Sequence, residues 1–109
     1  MKIKVIASMA IVIISAMLDV QAVTVRGPAS CGSWIKERVK DGWPATANTN
    51  WLIGYLSGMV VYSRKDFIKG TDNDSLEAWV DNYCNANPLD SLDDAGIELA
   101  IELIRKKGL

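Results

Sequence analysis

"WVDNYCNANPL", residues 79–89, decides how the chain is read. An apolar helical face carries a cysteine just ahead of a helix-ending Asn-Pro, with Asp81 one helical turn before it. Cys84 is therefore a nucleophile, a metal ligand or half of a disulfide. The chain holds one other cysteine, Cys31, and no histidine. The usual base that turns a thiol into a thiolate is missing, which excludes cysteine–histidine catalysis. A closed zinc site wants four nitrogen or sulfur ligands, and two cysteines supply half of them. No metal and no other cofactor is expected. A Cys31–Cys84 disulfide remains, provided the protein lives where thiols oxidise.

The N-terminus points to such a compartment. "MKIK" supplies positive charge, "VIASMAIVIISAML" an apolar run of signal-peptide length, and "VQA" a small residue at which a peptidase cuts. Residues 1–22 read as a cleaved signal peptide and residues 23–109 as a single helical domain. An uncleaved membrane anchor is the rival, but about 14 apolar residues fall short of the roughly 20 needed to span a bilayer. Lipidation at Cys31 is rejected, because that cysteine lies well beyond the apolar run and follows Pro28. An exported, periplasmic protein with no stable membrane anchoring after cleavage is the expectation. Losing Lys2, Lys4 and Asp19 with the leader turns the net charge of −1 into −2, which leaves no broad basic footprint for nucleic acid. A domain this small has a modest core, and a staple between cysteines about 53 residues apart would contribute roughly 4 kcal/mol in the chain-entropy model.

The remainder reads as four helices. The first starts near Ser30 and runs through "SCGSWIKERVKD", with Cys31, Trp34, Ile35, Arg38 and Val39 at three- and four-residue steps. "GWPATANTN" reads as a break. Asn50 is the expected N-cap of a second helix, "WLIGYLSGMVVYSRKDF", apolar almost all the way round and hence expected at the centre of the fold. Gly54 and Gly58, four apart, predict a face where another helix approaches closely. The segment is too short for a membrane-spanning small-residue motif. "KGTDNDS" is a polar loop, and Asp74 with Glu77 has the spacing of a capping box. A calcium loop starting at Asp72 would need glycine and glutamate where Glu77 and Tyr83 stand. The third helix, Ser75 to about Asn85, places Leu76, Trp79, Val80, Tyr83 and Cys84 on one side. Ser91 caps the fourth, "LDDAGIELAIELIRKKGL", with acids in its first turn and bases in its last. Its stripe of Leu92, Ala95, Leu99 and Leu103 is widened by Ile97, Ala100, Ile101 and Ile104, and Ile97, Ile101 and Ile104 are the expected dimer face. The fold class expected is all-α: a small four-helix, bundle-like domain stapled by one disulfide.

In combination, "SCGSWIKER", "WLIGYLSG", "DFIKGTDNDSLEAWVDNYCNANPLDSL" and a C-terminal amphipathic helix ending in "AIELI" closely resemble the Rap/Tai family of periplasmic immunity proteins. The joint pattern of G-x-D, W-x-x-x-Y-C and N-P-L carries the resemblance across nearly all of residues 23–109. It implies an all-helical periplasmic homodimer with a disulfide at the two cysteines, an inhibitor and not an enzyme. The partner it implies is a type VI secretion effector, a papain-like amidase that cuts peptidoglycan peptides and whose groove a projecting loop blocks. Asp72, Asn73 and Asp74 are the first candidates for that loop. Asn85, Asn87 and Asp90, around "NANPLD", are the second. The rival from another class is a periplasmic acid-stress chaperone, also small, helical, disulfide-linked and dimeric, opened by carboxylate protonation below about pH 4. A cell-wall hydrolase in its own right is disfavoured by the missing histidine, free thiol and metal cluster.

Overall fold

Ser30 opens the first helix as its position predicts. In the computed structural model, which describes residues 23–109, its hydroxyl accepts from the Ser33 amide at 3.1 Å, and α1 runs Cys31–Lys40. Arg38 and Lys40 lie in the last turn, at the carbonyl-rich end, and Asp41 closes the helix in the left-handed conformation. The signal-peptide reading of residues 1–22 lies outside the described residues.

α2 spans Trp43–Ser63 and corrects the reading of "GWPATANTN" as a break. Gly42 is the extended N-cap and Pro44 sits in the first turn, where its missing N–H has no partner to lose and its fixed φ already suits a helix. Ala45 is buried against the core, so the turn before Asn50 is held by packing. Asn50 is thus an interior helical residue and not a cap. The helix ends at Ser63 because Arg64 turns left-handed, φ 62°. "RKDF" falls outside it, and Phe67 is buried from the following turn.

α3, Asn73–Ala86, starts two residues earlier than expected. Its N-cap is Asp72, whose Oδ1 accepts from the Ser75 amide at 2.7 Å, while Asp74 is an exposed first-turn residue. α4, Leu92–Lys107, is as read. The Ser91 amide donates to Asp94 Oδ2 at 3.0 Å, and Arg105, Lys106 and Lys107 precede a left-handed Gly108.

α1 packs on α2 and α3, and α4 packs on the same two helices, closing a cycle α1–α2–α4–α3. The core at its centre includes Trp34, Leu52, Leu56, Phe67, Leu76, Val80, Leu92, Ala95 and Leu99. Cys31 and Cys84, 53 residues apart, form a disulfide across a Cα–Cα distance of 4.8 Å, and both are fully buried. The segments leading into α1 and α4 meet beside it, with the Cys31 amide on Asp90 O and the Leu92 amide on Ala29 O, both at 2.8 Å. The all-α, disulfide-stapled fold is the one expected.

Two expectations for α2 are corrected. Although apolar all round, α2 leaves Gly54, Gly58, Val61 and Tyr62 exposed and buries Leu52 and Leu56 on its other side. The close helix approach also lies elsewhere, since nothing stands within 4 Å of a Cβ added at Gly54 or Gly58. It occurs at Gly96 of α4, where such a Cβ would meet the Tyr55 ring at 2.9 Å.

Candidate functional site

The disulfide that joins α1 to α3 also sets their antiparallel register. One turn on from Cys31 is Trp34, and one turn back from Cys84 is Asp81. Trp34 Nε1 donates to Asp81 Oδ1 at 2.7 Å. Two turns on is Arg38, and two turns back is Glu77. Arg38 Nε and Nη2 fork onto the two Asp81 oxygens at 2.9 and 2.8 Å, and Nη1 reaches Glu77 at 3.0 Å. Burial pushes the Asp81 carboxyl up, yet the hydrogen bonds from Arg38 and Trp34 and the Arg38 charge outweigh it and hold it below the ordinary carboxylate value. The same hydrogen bond raises Arg38. Sequence reasoning noted Asp81 beside Cys84 but assigned it no partner; the signal was the matched three- and seven-residue offsets from the two cysteines. An open cleft of about 560 Å³ lies over this pair, walled by Ile35, Val39, Asp41 and Asn85.

The first candidate loop precedes α3. Phe67 anchors it in the core, and Lys107 reaches across from the end of α4 to donate to Phe67 O (2.6 Å), Lys69 O (2.8 Å) and Thr71 Oγ1 (3.0 Å). This pinned segment delivers Asp72, Asn73 and Asp74 to solvent, all three exposed. The hydrogen bond from Ser75 holds the Asp72 carboxyl below its ordinary value, so this residue is already in use as the cap.

The second candidate loop lies at the far end of α3, roughly 20 Å away at 1.5 Å per helical residue. The two candidate sets are therefore not brought together. Here Asn87 and Asp90, both partly buried, build the turn, while Asn85 stays exposed on the last turn of α3. Asn85 Nδ2 donates to Asp81 O at 2.8 Å, Asn87 Nδ2 to Tyr83 O at 3.0 Å, and Tyr83 Oη to Asp90 Oδ2 at 2.6 Å. The Asp90 bond, with burial and the neighbouring acids, pushes the Tyr83 hydroxyl up to about 12. What projects is Leu89, 98% exposed at the apex. Sequence reasoning missed it because it belongs to no helical stripe; a leucine between proline and aspartate inside a turn was the available signal.

Ile97, Ile101 and Ile104 border an apolar groove of about 240 Å³ between α2 and α4, with Met59, Tyr62 and Phe67 opposite. Ile101 is 54% and Tyr62 93% exposed. The bond between Cys31 and Cys84 leaves neither thiol free. No family model, curated protein or solved structure matches the chain.

Proposed function

We propose that the chain is a periplasmic immunity protein that binds a peptidoglycan amidase effector of type VI secretion and blocks its active-site groove. The observation that carries this reading is a rigidly built, solvent-projecting turn at each end of α3. One is pinned by Lys107, the other by Tyr83, Asn87 and the Cys31–Cys84 neighbourhood. A turn whose conformation is fixed before binding enters a concave groove with little further loss of conformational entropy, which is how a small inhibitor obtains tight binding. The landmark residues that resemble the Rap/Tai family supply the identity of the partner. The apolar groove on α2 and α4 supports a homodimer, in which two copies present their turns on opposite sides of a two-fold axis.

The test is co-expression in the periplasm with a panel of secreted amidases. Protection from lysis by one of them, with a complex of the two proteins surviving gel filtration, is the expected result. The chaperone reading is favoured by a different observation, the exposed apolar groove beside a seam that depends on the Asp81 carboxylate. It takes over if no amidase is inhibited while aggregation of acid-denatured clients is suppressed near about pH 3.

A further inference from the structure

The stretch "VRGPAS", residues 25–30, is tied down before α1 begins. The Trp51 indole donates to Arg26 O at 3.1 Å, and the Leu92 amide donates to Ala29 O at 2.8 Å. Between these anchors Gly27 takes a left-handed φ of 83°, and a Cβ there would stand 3.2 Å from Trp51 Nε1. Both the turn and the close approach call for glycine. Arg26 is thereby fixed at its backbone while the residue stays exposed, and the ion pairs among the described residues lie elsewhere.

Beside this strap is a recess of about 340 Å³ lined by Val25, Arg26, Asn50, Trp51, Gly54 and Tyr55. One wall is aromatic, since the Trp51 and Tyr55 rings stack with centroids 4.8 Å apart and planes 20° from parallel. Asn50 and Gly54, one turn apart on α2, make an exposed rim, and nothing stands within 4 Å of a Cβ added at Gly54. The missing side chain keeps the recess open. Its two ends differ in charge. Arg26 borders the Trp51 end, whereas at the Tyr55 end burial and then the Asp93 and Asp94 carboxylates raise the tyrosine hydroxyl. An anion is drawn to the first end and repelled from the second.

An aromatic wall, an amide that both donates and accepts, and a planar cation at one end together fit a small amphipathic anion. A pyranose has the matching make-up: its C–H face is apolar and packs on aromatic rings, while the hydroxyls around its edge need donors and acceptors. A simple aromatic acid would use the wall and the cation but leave Asn50 idle. We propose that this recess is a saccharide site for a carboxylate-bearing pyranose, with the sugar's apolar face against Trp51 and Tyr55, its hydroxyl edge on Asn50 and its carboxylate on Arg26. The site goes beyond the inhibitor reading and does not depend on it.

N-acetylmuramic acid, a cell-wall sugar with a lactyl carboxylate, is the probe. It is titrated into isotope-labelled protein purified from the periplasm while the four tryptophan indole N–H resonances are followed by NMR, Trp51 being identified by its loss in Trp51→Phe. The expected result is a saturable shift of the Trp51 signal with a dissociation constant on the order of millimolar, the Trp34, Trp43 and Trp79 signals staying in place. N-acetylglucosamine, a closely similar ring without the carboxylate, should bind about tenfold more weakly, and Arg26→Ala should weaken binding of the acid by about the same factor. Gly54→Leu fills the recess from an open position and should abolish the shift, whereas Gly58→Leu, one turn further on and equally open, should keep it. Thermal unfolding reports the fold of each variant. The proposal is overturned by a Trp51 signal that does not move up to about 20 mM sugar, or by a shift that survives Gly54→Leu. Benzoate or N-acetylglucosamine bound as tightly as the acid overturns it too.

Discussion

Three glycines do opposite work. At Gly96 a Cβ would stand 2.9 Å from Tyr55 Cδ1 and 3.1 Å from Cε1, and that ring cannot swing freely because it stacks on Trp51 with centroids 4.8 Å apart. Gly96→Ala gains about 1 kcal/mol of helix propensity but must displace the ring, and overpacking of this kind costs about 1–3 kcal/mol. The net expectation is a loss of stability. Gly54→Ala and Gly58→Ala meet open space and should each stabilise by about 0.5–1 kcal/mol. Denaturant midpoints at constant slope measure all three. A destabilising Gly58→Ala would mean that something outside the monomer covers that ledge. The i,i+4 glycine spacing was legible in the sequence, but its packing role was not. Which glycine a neighbour approaches depends on the rotation of α2 against α4, and no local pattern encodes that.

At the scale of elements, the helices were legible where periodicity and caps agree, as in α1 and α4. They were not legible where one residue type serves two ends. Pro44 stops a helix when placed inside it and starts one when placed in its first turn, and it was read the first way. Asp72 and Asp74 both have capping chemistry, and the preceding loop, pinned by Lys107, selects Asp72. The α1–α3 seam gives this scale its prediction. Trp34 is fully buried and Arg38 partly so, and both donate to Asp81. With its folded pKa depressed, the Asp81 carboxylate contributes stability that is fully present above its unfolded value near about 3.9 and is lost as pH falls through the lower folded value. The window therefore lies below about pH 4. Asp81→Asn should cost about 1–3 kcal/mol at neutral pH, because the fork to Arg38 is broken, and should flatten the acid limb. Urea unfolding of both proteins from about pH 7 to pH 2 measures this. Parallel acid limbs would place the titration on other carboxylates.

For the whole molecule the open question is what covers the apolar surface that α2 and α4 share. Tyr62 on one helix is exposed next to Ile97 and Ile101 on the other, and α2 carries no charged residue from Trp43 to Ser63. A second copy placed there by a two-fold axis meets no like charge along that helix, and the groove between Met59, Phe67 and Ile104 gives each copy's isoleucines a place to insert. The wide stripe of the fourth helix made this face legible from sequence, whereas the contribution of α2 was hidden by its uniform apolarity. Ile101 is the residue to change. Ile104 is half-buried, so a charge there also damages the core, and Ile97 borders the acidic recess as well as the groove, so a change there mixes two effects. Ile101 is 54% exposed in the monomer, which means glutamate at this position has water to face and the fold should survive. Because an isologous interface presents the same residue twice, Ile101→Glu brings two carboxylates to one seam, and the expected outcome is a folded monomer from a wild-type dimer. Light scattering at protein concentrations on the order of tens of micromolar reads the mass, and circular dichroism reads the helices. A wild-type monomer under those conditions removes the dimer, and an unfolded Ile101→Glu places this face in the core instead.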